Sequence, residues 1–302
     1  MPIVFFGDRF VDEADARVPI TTHALHYGTA VFEGIRSYGD GATAAIFRPR
    51  EHFERLLRNA AWLEMSVPWD VAALTDLTCE LLRRNGYFDD RYIRPLVYKT
   101  STTIGAGLPE GEALAIVAVP MPRGAVLRPA ATAGFSRWHR FPATTCPTGA
   151  KITGLYVNSS MARADVIARG FAQAVTLNDR GEVAEGYGAN LFVVHGSAVR
   201  TPPADADILP GITRATLLSF LRAQPDLAVS ESPLRPDELA RADEVFLCGT
   251  GMEIQPIGSL EGVMIGDGSG RGPVVSRVAA WYRSVVTGAE AADPAWRVPV
   301  PR

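Results

Sequence analysis

Between residues 120 and 129 the chain reads Pro-Met-Pro-Arg-Gly-Ala-Val-Leu-Arg-Pro, three prolines and a glycine directly after an apolar run. Proline withholds a ladder donor and bars the residue before it from helix, so such a run neither extends a strand nor opens a helix. In a chain of 302 residues, too long for one ordinary core, it splits the sequence into two domains. The expected division is a first domain over 1–120, a connecting loop over 121–132 and a second domain over 133–302.

The first segment mixes both hydrophobic periods. Residues 3–6 and 44–47 predict short strands, and 92–98 and 113–119 predict buried ones. Phe53, Leu56, Leu57 and Ala60 fall at helical spacing within 49–63, and Leu74, Leu77, Leu81 and Leu82 do so within 71–84. Strands and helices thus share one α+β domain. In the second segment the spacing predicts an aromatic and basic strand over 135–141 and a helix over 156–168. A hairpin over 171–184 turns at Asn178-Asp-Arg-Gly181, and a strand follows at 191–194. A helix opens from Leu209-Pro-Gly-Ile-Thr213 and runs to about 221; a strand over 244–247 ends in Cys248-Gly-Thr-Gly251. A last amphipathic helix spans 274–286, and 287–302 is expected as a loose tail.

A net charge of −3, with arginines scattered rather than striped, gives no field that would draw nucleic acid or an anionic membrane. Cys79, Cys146 and Cys248 are far apart and odd in number, which argues against a disulfide framework and suits a reducing compartment. The N-terminus has no basic region before its apolar residues, and no apolar run approaches the ~18 residues of a membrane span. The expected setting is the cytoplasm.

Of the 30 basic residues only Lys99 and Lys151 are lysines. Arginine is almost never deprotonated, whereas a desolvated lysine can form a Schiff base, so amine chemistry has two candidates here. Lys99 ends an apolar run; Lys151 opens a stretch of small and polar residues with Tyr156 five positions on. Two turns, at 209–213 and 248–251, present backbone N–H groups that could hold an anion or could be plain turns. Tyr92 and Arg94 share one strand face, either a binding surface or simply its polar side. His23 and His26 find no third ligand at matching spacing, so no metal is expected. Neither a nucleophile-elbow motif for hydrolysis nor a glycine fingerprint for a nicotinamide domain is present.

Seven segments occur together in order: residues 23–36 (His-Ala-Leu-His-Tyr-Gly-Thr-Ala-Val-Phe-Glu-Gly-Ile-Arg), His52-Phe-Glu-Arg-Leu56, Tyr92-Ile-Arg-Pro-Leu96, Lys151-x-x-Gly-x-Tyr-x-Asn-Ser, Glu185-Gly-x-Gly-x-Asn-Leu-Phe, Leu209-Pro-Gly-Ile-Thr-Arg214 and Gly249-Thr-Gly-Met-Glu-Ile-x-Pro-Ile257. Together they resemble the branched-chain amino acid aminotransferases among the class IV, fold-type IV pyridoxal-phosphate enzymes, over about residues 20–288. The resemblance implies a small N-terminal α/β domain and a larger C-terminal domain with a β-barrel-like sheet. It implies transamination of leucine, isoleucine and valine with 2-oxoglutarate, a ping-pong mechanism, and a homodimer or larger homo-oligomer.

It also implies residue roles. Lys151 would bind pyridoxal 5'-phosphate and act as the acid/base. Glu185 would pair with the pyridine nitrogen and Tyr156 with the ring's O3′; Arg55, the N–H groups of Ile212 and Thr213, and Thr250 would hold the phosphate. Thr250–Gly251, with Tyr92, would take the substrate's α-carboxylate. Phe32, Tyr27 and Tyr156 would wall the side-chain pocket, with Gly34 beside it, and Arg94, with Arg36 or Tyr27, would receive the far carboxylate of 2-oxoglutarate or glutamate.

The chain departs from the family pattern at Leu155, Tyr187 and Ala189 and in the 120–126 loop, where Arg123 could bias the site toward an unusual acid. The alternative reading is a class IV enzyme with another donor: a D-amino acid, an (R)-amine, an aromatic or β-amino acid, or an aminodeoxychorismate lyase.

Overall fold

The computed structural model describes residues 1–290 and 292–302. The chain forms two compact units. The first contains Met1–Arg123, Ala150–Leu155 and Val285–Arg302; the second contains Gly124–Gly149 and Tyr156–Ser284. Two segments expected in the second domain, 150–155 and 285–302, therefore belong to the first unit.

The first unit is built on an antiparallel eight-stranded sheet. Its elements are β1 (Ile3–Gly7), β2 (Arg9–Asp12), α1 (His23–Tyr27), β3 (Ala30–Phe32), β4 (Ile35–Gly39), β5 (Ala44–Phe47), α2 (Pro49–Ala61), α3 (Val71–Arg84), β6 (Arg91–Lys99) and β7 (Glu112–Pro120). The strand order is C-terminal strand, β5, β4, β6, β7, β1, β2, with β3 paired to β6. Helix α2 starts with Pro49 at its first turn, where a missing N–H costs nothing. Asp70 caps α3 by accepting from the Ala73 N–H at 2.8 Å. Phe53 and Leu56 of α2 and Leu74, Leu81 and Leu82 of α3 are all buried in the core under the sheet. The same buried side of α2 also carries His52, Arg55 and Asn59. Burying such groups costs free energy unless they are partnered, and His52 and Arg55 find their partner in Glu33, described below.

Residues 150–155 join this unit through backbone pairing. Val31 bridges Ile152, the Phe32 N–H donates to the Lys151 carbonyl at 3.1 Å, and the Gly154 N–H donates to the Gly28 carbonyl at 3.2 Å. The Thr153 hydroxyl adds a 2.8 Å bond to the Gly28 carbonyl. Gly28 has φ +64, and a Cβ there would lie 2.5 Å from Gly154 Cα. Only glycine meets both demands. Gly28→Ala is expected to cost about 2 to 4 kcal/mol, from the left-handed φ plus backbone displacement. Urea unfolding measures it; a loss under about 0.5 kcal/mol would mean that the Lys151 segment gives way freely.

The C-terminus is not a loose tail. Arg297–Pro299 forms a strand antiparallel to β5, Val300 is buried, and the Arg48 guanidinium lies 4.6 Å from the Trp296 ring centroid. Its partner strand is some 250 positions away in sequence, so no local pattern announces the pairing.

The second unit has a nine-stranded mixed sheet that curls, with order β10, β9, β8, β15, β14, β11, β12, β13 and with β16 on β15. Its elements are β8 (Ala131–Phe135), α4 (Tyr156–Ala168), β9 (Gln173–Leu177), β10 (Val183–Gly186), β11 (Asn190–His195), β12 (Ala198–Thr201), α5 (Ile212–Arg222), β13 (Ala228–Glu231), α6 (Pro236–Ala240), β14 (Glu244–Gly249), β15 (Glu253–Leu260), β16 (Val263–Met264) and α7 (Pro273–Thr287) up to Ser284, the last residues of α7 belonging to the first unit. The expected strand over 135–141 is displaced: β8 ends at Phe135. Beyond it, side chains take two of the backbone donors, the Ser136 hydroxyl accepting from the Trp138 N–H and Asp165 from the Arg137 N–H. Small residues fill β8 instead, and a Cβ on Gly134 would strike the Phe171 ring at 2.5 Å. The two-unit α+β architecture agrees with the fold class expected from the sequence. Among the described residues no helix is long and apolar enough to cross a membrane.

Candidate active site

In the first unit the site residues gather around the turn from β3 to β4. Lys151 is mostly covered, and its Nζ lies 4.6 Å from the Phe32 ring centroid. Burial pushes the amine down, the Glu33 charge pulls it partly back, and Arg55 adds to the lowering; the pKa is about 8. At neutral pH about a tenth of such an amine is unprotonated, against far less than a hundredth for an ordinary lysine. Arg94 places its guanidinium 4.4 Å from the same ring centroid and donates to the Tyr92 hydroxyl at 2.8 Å. Gly34 makes room for that pair, since a Cβ there would lie 2.2 Å from the Tyr92 oxygen.

Glu33, between Phe32 and Gly34, is fully buried. Its carboxylate accepts from Arg55 twice, at 2.6 Å from Nε and 2.9 Å from Nη2, and from His52 Nδ1 at 2.7 Å. Burial alone would raise this carboxyl, but the Arg55 charge and the His52 bond outweigh it and bring the pKa to about 2. Burial depresses His52 despite the carboxylate beside it, so the ring donates as a neutral imidazole.

Other expected site residues of this unit are engaged elsewhere. Arg36 is buried, donates to the Met121 carbonyl and lies over the Tyr38 ring. It faces Tyr92 across the β4–β6 ladder. The Tyr27 hydroxyl accepts from the Gly105 N–H at 2.8 Å. His23 bonds Thr29 and the Gly105 carbonyl, and His26 bonds the Ile20 carbonyl. Arg123 does not await a substrate acid. Its Nε pairs with Asp90 at 2.8 Å, its Nη2 donates to the Gly39 carbonyl, and Asp90 also accepts from the Gly39 and Arg123 N–H groups. The start of the connecting loop is thereby fastened to the end of β4.

In the second unit, Glu185 is the penultimate residue of β10 and is buried. Its Oε2 accepts from Asn190 Nδ2 at 3.0 Å and from the Leu209 N–H at 3.1 Å, and its Oε1 lies 3.3 Å from Arg140 Nε. Asn190 also bonds the Leu209 carbonyl, and its amide oxygen stands where a Cβ on Gly211 would be, 2.0 Å away. Gly211 is the N-cap of α5 and supplies no side-chain cap. The first N–H groups of the helix, those of Ile212 and Thr213, thus suit an anion. Thr250 and Gly251 form the turn between β14 and β15, closed by the Gly249–Glu253 pair with Glu253 at φ 59. Tyr156 is the first residue of α4.

The departures from the family pattern face packing surfaces. Leu155 packs on the core of the first unit and Ala189 lies in that of the second; Tyr187 packs near Ala162, Val166 and Ala174, with the Arg163 guanidinium 5.5 Å from its ring centroid. The roles of Glu33, His52, Arg140 and Asn190 escaped the sequence reading. The one available signal was Glu33, a lone charge in a run of small and aromatic residues.

Each unit by itself offers donors of a kind that a phosphorylated carbonyl cofactor takes: a desolvated lysine in the first, and a buried carboxylate and an uncapped helix N-terminus in the second. Consistent with this, residues 30–260 match the family model of class IV amino-transferases. The chain is 34% identical over 302 residues to the branched-chain-amino-acid aminotransferase of Salmonella typhimurium, covering 98% of this chain and 97% of that relative. It is similar to the branched-chain aminotransferase of Thermoproteus uzoniensis solved with norvaline, at 37% identity and a TM-score of 0.93, covering 99% of both chains. The T.th. branched-chain amino acid aminotransferase solved with N-(5'-phosphopyridoxyl)-L-glutamate gives 35% identity and a TM-score of 0.93, covering 99% of this chain and 98% of that one. The chain belongs to the branched-chain aminotransferase family.

Proposed function

We propose that this protein is a pyridoxal 5'-phosphate-dependent aminotransferase that exchanges the amino group of branched-chain L-amino acids with 2-oxoglutarate by a ping-pong mechanism. The observation that carries the reading is the Lys151 amine, desolvated to a pKa of about 8 among Phe32, Glu33, Arg55 and Arg94. Family membership and the relatives solved with norvaline and with a phosphopyridoxyl-glutamate adduct support it. The bound cofactor would supply a carbonyl for the amino group and an electron-withdrawing ring.

In this reading Lys151 Nζ binds the cofactor and carries the proton taken from the amino acid's Cα. Arg55, the N–H groups of Ile212 and Thr213, and Thr250 hold the phosphate. Glu185, oriented by Asn190 and the Leu209 N–H, holds a proton at the pyridine nitrogen, and Tyr156 bonds O3′. Thr250–Gly251 and Tyr92 take the α-carboxylate. Phe32, Tyr27 and Tyr156 with Gly34 shape the side-chain pocket, and Arg94 receives the far carboxylate. Arg36, locked on Met121, supports that strand face. A homodimer or larger homo-oligomer in the cytoplasm completes the reading.

The test is a donor panel with 2-oxoglutarate as acceptor. L-leucine, L-isoleucine and L-valine are expected to lead D-alanine, aromatic and β-amino acids by at least about tenfold in kcat/KM. Preference for D-alanine or an (R)-amine would overturn the proposed substrate class.

A further inference from the structure

We propose that Glu33 is a positioning residue for phosphate capture: its carboxylate grips Arg55 along the Nε/Nη2 edge, so that the guanidinium meets a phosphate ester in one fixed orientation. The inference rests on the reading above, in which Arg55 holds the cofactor phosphate. A guanidinium is a planar fork, and a carboxylate on one edge fixes its plane. The grip itself is fixed. The Glu33 N–H donates to the Pro95 carbonyl at 2.9 Å, its Oε2 accepts from the Gly34 N–H at 3.3 Å, and His52 Nδ1 holds Oε2 at 2.7 Å. Arg55 would otherwise lose rotamer freedom when it binds an anion; here that ordering is already complete. The residues either side of Glu33 serve the same turn, Phe32 lying by Lys151 and Gly34 by Tyr92.

A pair that only tied the β3–β4 turn to α2 would behave differently. Its loss would weaken the fold and every cofactor form alike. A positioning role weakens the phosphorylated form selectively. The experiment titrates apoprotein with pyridoxal 5'-phosphate and, separately, with pyridoxal, following tryptophan fluorescence, and reads the ratio of the two dissociation constants. Glu33→Gln is expected to shrink that ratio by at least about tenfold while pyridoxal affinity moves by less than about threefold. Glu33→Asp, which keeps the charge, is expected to recover part of the ratio. If Glu33→Gln does not fold, Glu33→Asp is read against wild type: its side chain is one methylene shorter and cannot keep both contacts on Arg55, so a shrinkage of at least about threefold is expected. An unchanged ratio in the variant that folds overturns the role of Glu33, as does an equal loss for both ligands. Wild-type protein that binds neither ligand refutes the functional reading and this inference with it.

Discussion

Lys151→Ala is expected to lower turnover by at least about 10⁴-fold and to remove the visible absorption that borohydride bleaches in the wild-type protein. The size of the effect follows from the scarcity of amines. The only other lysine, Lys99, is buried, donates to the Glu64 carbonyl at 2.9 Å and lies 3.8 Å from Glu112, so it is committed within its own surroundings. Arginine cannot substitute, because it does not shed a proton near neutral pH. Lys151→Arg separates the two things a lysine offers: the cation is kept and the nucleophile is lost. It is therefore expected to be as inactive as the alanine variant, and the visible band should vanish in both. The measurements are steady-state rates with L-leucine and 2-oxoglutarate, and spectra before and after borohydride. A Lys151→Ala protein that keeps the band, or more than about one hundredth of the rate, would sink the assignment.

How much of this was readable in the sequence depends on how far apart the interacting residues lie. Helices α3 and α4 fall over Val71–Arg84 and Tyr156–Ala168, as expected, because helical spacing and caps are local signals. Lys151 stood out as a candidate for a chemical reason, as one of two amines in an arginine-dominated chain. Strand β8 was not legible, because Ala131, Ala133 and Gly134 carry little β signal, and Gly134 is required by the close approach of Phe171. Nor was the assignment of 150–155 to the first unit, which depends on Gly28 and Gly154 touching across 126 positions. Arg123 shows the limit from the other side. Its position beside a substrate loop suggested a specificity role, whereas Asp90, 33 positions away, takes its charge. Residue type told what a side chain could do, and non-local partners decided whether it was available.

The same distinction governs the second large effect, on stability. Arg55→Met is expected to destabilise the protein by about 3 to 5 kcal/mol at neutral pH, the usual cost of leaving one member of a buried ion pair behind. Glu33 is fully buried, and Arg55 supplies two of its acceptor contacts and its nearest positive charge. Without Arg55, only the neutral donors His52 and the Gly34 N–H remain, and burial then dominates and pushes the carboxyl upward. The pH dependence follows in sign. In the wild type the folded-state pKa is depressed from 4.5 to about 2. Glu33 therefore contributes stability above about pH 4.5, about 3 kcal/mol in scale, and that contribution is lost as the pH falls through about 2. The variant has no such contribution to lose. The gap between the two proteins should be widest at neutral pH and narrow steadily below about pH 4.5. Arg55→Met combined with Glu33→Gln removes the stranded charge and should recover part of the loss, which makes the two substitutions non-additive. Urea unfolding of the four proteins at pH 7 and pH 3 measures all of this. A loss under about 1 kcal/mol at pH 7, or a gap equal at the two pH values, would mean that the Glu33–Arg55 pair does not hold this turn together.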